Sequence, residues 1–222
     1  MEWKCLKIRY AAAMVQVLIA CVSLSLLPGD APAQAAEPVT SNVALVSGGT
    51  ALERMLALGP EGQALTKRTG VWDVTYTSWS KPGANPDTVN GLVAERQMIG
   101  PILQEILHPA SDAPGPSFTR IDYLTFNRVL SRWDYVSMDT RVPNGLMPAW
   151  SFERGSEEQI VLTFQPFAIT GAGPEVRGQM LRMEQVITRQ GPDHEVKDQH
   201  FILADGIGTK WLAKRYVYTR RP

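Results

Sequence analysis

The chain has 222 residues, with Lys+Arg at 22, Asp+Glu at 22 and a formal net charge of +0 at neutral pH. Balanced charge without a basic cluster excludes the electrostatic footprint of a nucleic-acid binder and argues against purely electrostatic docking on anionic membranes. The only two cysteines, Cys5 and Cys21, both lie near the N-terminus.

The first residues read as a secretory leader. Lys4, Lys7 and Arg9 give a positive start, residues 11–27 are apolar, Pro28-Gly29 breaks the run, and Ala33-Gln34-Ala35 matches the small-x-small cleavage pattern. Residues 1–35 are predicted to be a signal peptide, which places a mature chain starting at Ala36 in the periplasm or outside the cell. The apolar run contains Gln16, Ser23 and Ser25 and falls short of the roughly 20 residues of a spanning helix, so no membrane span is expected in the mature chain. The alternative is Leu18-Ile19-Ala20-Cys21, which is similar to a lipoprotein box and would lipidate Cys21. Against it, the residues after Cys21 stay mostly apolar where a polar tether would follow. Removing 35 of the 222 residues leaves 187, without a cysteine, so disulfides, thiolate catalysis and cysteine metal sites go with the leader. The core alone must then stabilise one domain of that length.

Residues 36–49 lack periodicity and are expected to be a flexible lead-in. The remainder, 50–222, reads as a single domain. Thr50 with Glu53 three residues on forms a capping box for a short helix whose apolar stripe is Leu52, Met55 and Leu56. Pro60 and Gly62 interrupt or bend it, and a second turn follows over 63–68. From Val71 the period changes to two, with strands predicted over 71–79, 91–99, 102–108, 118–126, 129–138, 147–152, 159–167, 179–188, 195–203 and 210–219. Between them stand turn signals such as Pro82-Gly83, Gly100-Pro101, Pro114-Gly115-Pro116, Asn127-Arg128, the glycine-rich 171–174 and Gly191-Pro192. Spacing this tight leaves no room for crossover helices, so neighbouring strands should pair. The fold class is all-β, an up-and-down antiparallel barrel of about ten strands with a short N-terminal helix, able to enclose one small ligand. A two-sheet sandwich is the alternative.

Gly70-Val71-Trp72 at the first strand resembles the G-x-W opening of calycin barrels, the superfamily of lipocalins and fatty-acid-binding proteins. The order Gly70-x-Trp72, Pro82-Gly83, Val89-x-Gly91, Met98-Ile99-Gly100, Trp133 through Met138-x-Thr140, Trp150 and Tyr216-x-Tyr218-x-Arg220 is similar to the bacterial domain of unknown function 1579, over roughly residues 50 to 221. The chain departs from that family in having Gly100-Pro101 where a Gly-Gly pair is common, and in its extended stretch 102–109. The resemblance implies a calycin-like barrel and no established activity. It also implies that Trp72 closes one end under an arginine of the last strand, Arg215 or Arg220, by cation–π stacking. Any ligand would enter at the other end, and the helix from Thr50 would cover the closed one.

On the last strand Lys214, Tyr216 and Tyr218 share one face and are similar to the Arg-x-Tyr pair with which fatty-acid-binding proteins hold a carboxylate. Trp211, Ala213 and Val217 on the opposite face read as the core side. The histidines His108, His194 and His200 are too dispersed for a metal pattern, so no metal is expected. Only His200, inside a strand, could face a cavity, where some ten-stranded calycins hold haem; no haem-attachment motif accompanies it and no cofactor is expected. Asp134 and Glu184 stand among apolar strand residues, as buried bases or as partners of Arg132 and Arg182 two residues away. No nucleophile elbow or phosphate loop is present.

The candidate ligand contacts are Tyr123, Trp133, Tyr135, Glu184 and His200, drawn from an aromatic and methionine set large enough to fill a core and line a pocket. The expected partner is a small hydrophobic or amphipathic molecule. An isomerase or hydrolase with a buried carboxylate base and a structural or partner-binding envelope domain are the alternatives.

Overall fold

From Gly70 to Arg220 the backbone runs back and forth in antiparallel strands, most of them hydrogen-bonded to their sequence neighbours. The structure, a computed structural model, describes residues 49–113, 115–169 and 177–222. The leader with Cys21, residues 36–48 of the lead-in, Pro114, the turn at 171–174 and the side chain of Met55 lie outside the described residues. Two helices, α1 (Ala51–Leu56) and α2 (Pro60–Thr66), precede β1 (Gly70–Ser78), β2 (Asp87–Ile99), β3 (Ile102–Pro109), β4 (Arg120–Asn127), β5 (Arg132–Asp139) and β6 (Leu146–Trp150). Then come β7 (Gln159–Phe164), β8 (Phe167–Ala168), β9 (Met180–Arg189), β10 (His194–Leu203) and β11 (Lys210–Arg220). Strand β11 pairs with β1, and β10 with β9, which closes ten strands into a ring while the two-residue β8 extends beside β9. The fold is an all-β, calycin-like antiparallel barrel rather than a sandwich.

Local chemistry explains where the strands depart from the sequence pattern. The predicted strand 159–167 is split into β7 and β8 around Pro166, which has no N–H for the ladder. Strand β5 starts at Arg132 rather than Val129, because the Asn127 side-chain oxygen accepts from the Val129 and Leu130 amides and Ser131 takes a positive φ of 52°. Gly91, at φ 75°, supplies the extra residue of a bulge opposite β1, where the register jumps between Val74 and Tyr76.

A second bulge matters more. Gln199 pairs with Lys214 while His200 pairs with Leu212, so β11 carries one residue too many at Ala213. Trp211 and Ala213 face inward before it, and Tyr216 and Tyr218, 1% and 0% exposed, face inward after it. Both faces that the sequence set in competition therefore reach the interior, and Val217 turns out to solvent.

The closed end is built from α2 and Trp72, not from α1. Pro60 occupies the first turn of α2, where its missing N–H costs nothing, and Ala64 and Leu65 are buried beneath. The α1 residues Leu52 and Leu56 are 57% and 70% exposed, correcting the expectation that this stripe plugs the barrel. Helix α1 instead lies on the β4–β5 turn, where Arg128 donates to the Arg54 and Ala57 carbonyls. Trp72 is fully buried, donates its indole N–H to the Arg68 carbonyl at 3.1 Å, and lies between the guanidinium groups of Arg96 at 4.9 Å and Arg220 at 4.2 Å. Arg220 also donates to the Lys67 and Thr69 carbonyls, tying the last strand to the chain leaving α2. Arg215 is on the outside, paired with Asp198 at 2.7 Å.

Trp72→Ala should therefore lower the unfolding free energy by about 3 to 5 kcal/mol, as large-to-small core changes do, whereas Leu56→Ser should change it by less than about 0.5 kcal/mol. Urea unfolding of the two variants measures this; comparable losses would mean that α1 packs against the barrel after all.

Candidate functional site

Strand alternation sends a series of charged residues into the barrel. On β3 the inward positions are Leu103, Glu105 and Leu107; on β4 Arg120, Asp122 and Leu124; on β10 Glu195, Lys197, Gln199 and Phe201. Arg96 of β2 and Arg68, just past α2, join them, and all seven charged groups are buried. They form one chain of alternating sign: Arg68 to Glu195 at 2.5 Å, Glu195 to Arg96 at 2.8 Å, Arg96 to Glu105 at 2.7 Å, Glu105 to Lys197 at 2.8 Å, Lys197 to Asp122 at 3.0 Å and Asp122 to Arg120 at 2.8 Å. Tyr218 donates to Glu105 at 3.1 Å, and Tyr135 accepts from Arg120 at 3.0 Å.

Burial alone would raise the Glu105 carboxyl, but Lys197, Arg96 and Arg120 outweigh it and hold the group well below the usual carboxylate range. Burial likewise opposes the charge on Lys197, yet Glu105 and its neighbours keep that ammonium firmly protonated. A buried ion costs several kcal/mol to desolvate, so each depends on its partners. Glu105→Gln should cost about 3 to 5 kcal/mol at neutral pH by leaving buried cations underpaired. Because the folded pKa of Glu105 lies below its unfolded value near 4.5, this stabilisation is complete at neutral pH and drains away as the pH falls below that value. Urea unfolding across a pH series should show a steeper acid loss in the wild type than in Glu105→Gln; parallel profiles would remove Glu105 as the titrating group.

Arg120 ends the chain of charges and opens onto a cavity of about 460 Å³ at the end of the barrel opposite Trp72. Trp79, Met147, Phe167, Ile169, Met183 and Phe201 give it apolar lining. Its polar lining includes Tyr76, Asp87, Arg120, Ser137, Asp139, Arg141, Gln199 and Lys214. Arg141 grips Asp139 through two contacts, Nε at 2.9 Å and Nη2 at 2.6 Å, and lies 3.7 Å over the Phe118 ring. Burial would raise the Asp139 carboxyl; the Arg141 hydrogen bonds prevail and lower it. Gln199 donates to Gln185 at 2.7 Å, and Lys214 reaches over Phe201 with its Nζ 5.9 Å from the ring.

The residues singled out from sequence fall elsewhere. Tyr123 is on the outer face, accepting from Gln104 at 2.9 Å. Glu184 is also outside, paired with Lys210 at 2.6 Å, and Asp134 is held by Arg132 at 2.8 Å, so neither is a buried base. His200 shares that outer face; burial and nearby Lys210 lower its pKa, and it does not line the cavity. Trp133 and Tyr135 do point inward, but Trp133 packs below α2 with its N–H on the Arg154 carbonyl, and Tyr135 serves Arg120. No group of three His, Cys, Asp or Glu placed to hold a metal occurs among the described residues, and no helix there is long and apolar enough to cross a membrane.

No family model matches the chain, so its likeness to domain of unknown function 1579 rests on motif order, and no curated protein matches it either. Among solved structures, Rv2717c from M. tuberculosis superposes with a TM-score of 0.52 at 15% identity, over 75% of this chain and all of its own. The fold is calycin-like. The S-type phycobiliprotein lyase CPES from Guillardia theta gives a TM-score of 0.28 at 12% identity, over 73% of this chain and 96% of its own.

The charged interior was missed although its signal is visible: Glu105 stands between Leu103 and Leu107 in the apolar phase of one strand, as Asp122 precedes Leu124. Glu184 and Asp134 lie in the phase opposite their strands' buried residues, but Met180 and Val186 share the phase of the first and Val136 and Met138 that of the second, so residue type alone does not separate the two cases.

Proposed function

We propose that this chain is an exported binding protein that takes one small amphipathic molecule into the cavity at the open end of its barrel. The observation that carries the reading is a cavity of about 460 Å³ whose lining is mixed, aromatic and aliphatic at Phe167, Met183 and Phe201 and polar at Arg120, Arg141 and Lys214. A structural domain with a filled interior has no use for such a space. A carboxylate-dependent enzyme finds little support, because of the two carboxylates lining the cavity Asp139 is clamped by Arg141 and held ionised, and Asp87 stands exposed at the start of β2 rather than buried as such a base would be. Export is supported by the leader pattern ending at Ala35, and membership of domain of unknown function 1579 by the motif order from Gly70-x-Trp72 to Tyr218-x-Arg220.

Nile red, an uncharged dye that brightens in apolar surroundings, should bind the protein at a single site. Met183→Trp, which grows into the cavity from its wall, should abolish that binding while the melting temperature stays close to that of the wild type. Unchanged dye binding in this variant would place the ligand elsewhere.

A further inference from the structure

The buried charges enclose a second, much smaller cavity. It measures about 20 Å³, room for one water or one monatomic ion, and its polar lining is Arg68, Arg96, Lys197, Tyr135 and the three carboxylates of the charged chain. None of these residues lines the larger cavity, so the two spaces are separate.

Donors and acceptors around the small cavity are unequal in number. All six carboxylate oxygens are taken: Glu195 accepts from Arg68 and Arg96, Glu105 from Arg96, Lys197 and Tyr218, and Asp122 from Lys197 and Arg120. On the donor side, Arg68 Nε and Arg96 Nη1 are buried without a hydrogen-bond partner among the described residues. Tyr135 accepts from Arg120 and keeps its own O–H to give, and Lys197 meets two carboxylates with three N–H groups. A buried donor left unmet costs free energy, so the lining asks for an acceptor.

Charge runs the same way. Within the chain four cations, Arg68, Arg96, Arg120 and Lys197, face three carboxylates, Glu105, Asp122 and Glu195. The next carboxylates beyond its two ends are already engaged, Glu157 by Lys67 and Arg189 and Asp139 by Arg141. Burial, with Arg96 and Arg189, outweighs Glu195 and Glu157 and brings the Arg68 guanidinium below its ordinary value, whereas Arg96, Arg120 and Lys197 are all raised. Arg68 is the least compensated cation of the four, and it lines the cavity.

We propose that this cavity is a site for one dehydrated halide ion, chloride in ordinary salt, held by Arg68, Arg96, Lys197 and Tyr135. A water brings two protons of its own to oxygens that each already accept one. A halide only accepts, and its single charge sets four negatives against four positives. Polyatomic anions such as sulfate exceed the space. The site lies outside the larger cavity and does not depend on what that cavity binds.

Thermal unfolding of the purified protein, with sodium chloride replacing sodium gluconate at constant ionic strength, reads the site. The melting temperature should rise saturably, by about 3 to 6 °C at ten times the half-saturating concentration, and bromide should reproduce the rise while sulfate does not. Tyr135→Phe, which removes one donor and no charge, should raise the half-saturating chloride concentration about tenfold, whatever its melting temperature without chloride. In wild-type crystals soaked in sodium bromide, an anomalous peak should lie inside the barrel between Arg68 and Arg96. A melting temperature that follows ionic strength whichever anion is present would overturn the proposal, and so would density between Arg68 and Arg96 without a bromide signal, as for a bound water. An unchanged half-saturating concentration in Tyr135→Phe would place the halide elsewhere on the molecule and overturn it as well.

Discussion

Seven buried charges in alternating order, from Arg68 to Arg120, are the constraint on which the barrel's arrangement depends. An ion withdrawn from water is tolerable only if its partners are in place, and these partners come from the end of α2 and from β2, β3, β4 and β10, remote from one another in sequence. Alternative pairings of the sheet are thereby penalised. A slip of one residue in β3 would take Glu105 out of the barrel together with Leu103 and Leu107, leaving Arg96 with Glu195 alone and Lys197 with Asp122 alone. The apolar pattern and the charge pattern select the same register, and the charges make the error far more costly.

The same chain of charges explains why the barrel has one filled end and one hollow end. Ten strands enclose a wider interior than the eight whose side chains just fill a small barrel, so long side chains are needed wherever the space is closed. Arginine, lysine, glutamate and tyrosine supply that length near Trp72, and α2 inserts Leu65 over them. Past Arg120 the inward positions include Ser137 and Ala213, which are too short to meet across the barrel, and the space opens. Stability and the candidate site are thus divided between the two ends, and Arg120 is where they meet: it holds Asp122 and Tyr135 on one side and lines the cavity on the other.

Much of this organisation is readable in the chain. The period-two pattern from Val71 and the turn residues between strands give ten antiparallel strands in order, because each short strand leaves its neighbour as the nearest partner. Trp72 is identifiable as a closing residue and Arg220 stands over it, but choosing Arg220 above Arg215 requires knowing the inward phase after the bulge. The apolar stripe Leu52, Met55 and Leu56 is a sound helical pattern that misleads, because α2 with its less regular Ala64 and Leu65 reaches the barrel first. For the site, aromatic content directs attention to Tyr123 and His200, which stand in the outward phase. Phase, more than residue type, decides which side chains can meet a ligand.

Phase is also what the bulge at Ala213 alters. A regular β11 could turn inward either Trp211 and Ala213 or Tyr216 and Tyr218, and each pair has work in a different half of the barrel: Trp211 packs on Phe201 beside the cavity, while Tyr218 hydrogen-bonds Glu105 within the charged chain. One inserted residue lets a single strand serve both halves. Its cost is a local break in the ladder with β10, met in part by the Trp79 amide, which donates to the Ala213 carbonyl at 2.9 Å. The residue that changes phase at that break is Lys214, so the irregularity that reconciles the two cores is also the one that brings Lys214 to the cavity. The packing of Trp211 in one half and of Tyr218 in the other are consequences of one backbone event, and a sequence that lost the extra residue would have to give up one of them.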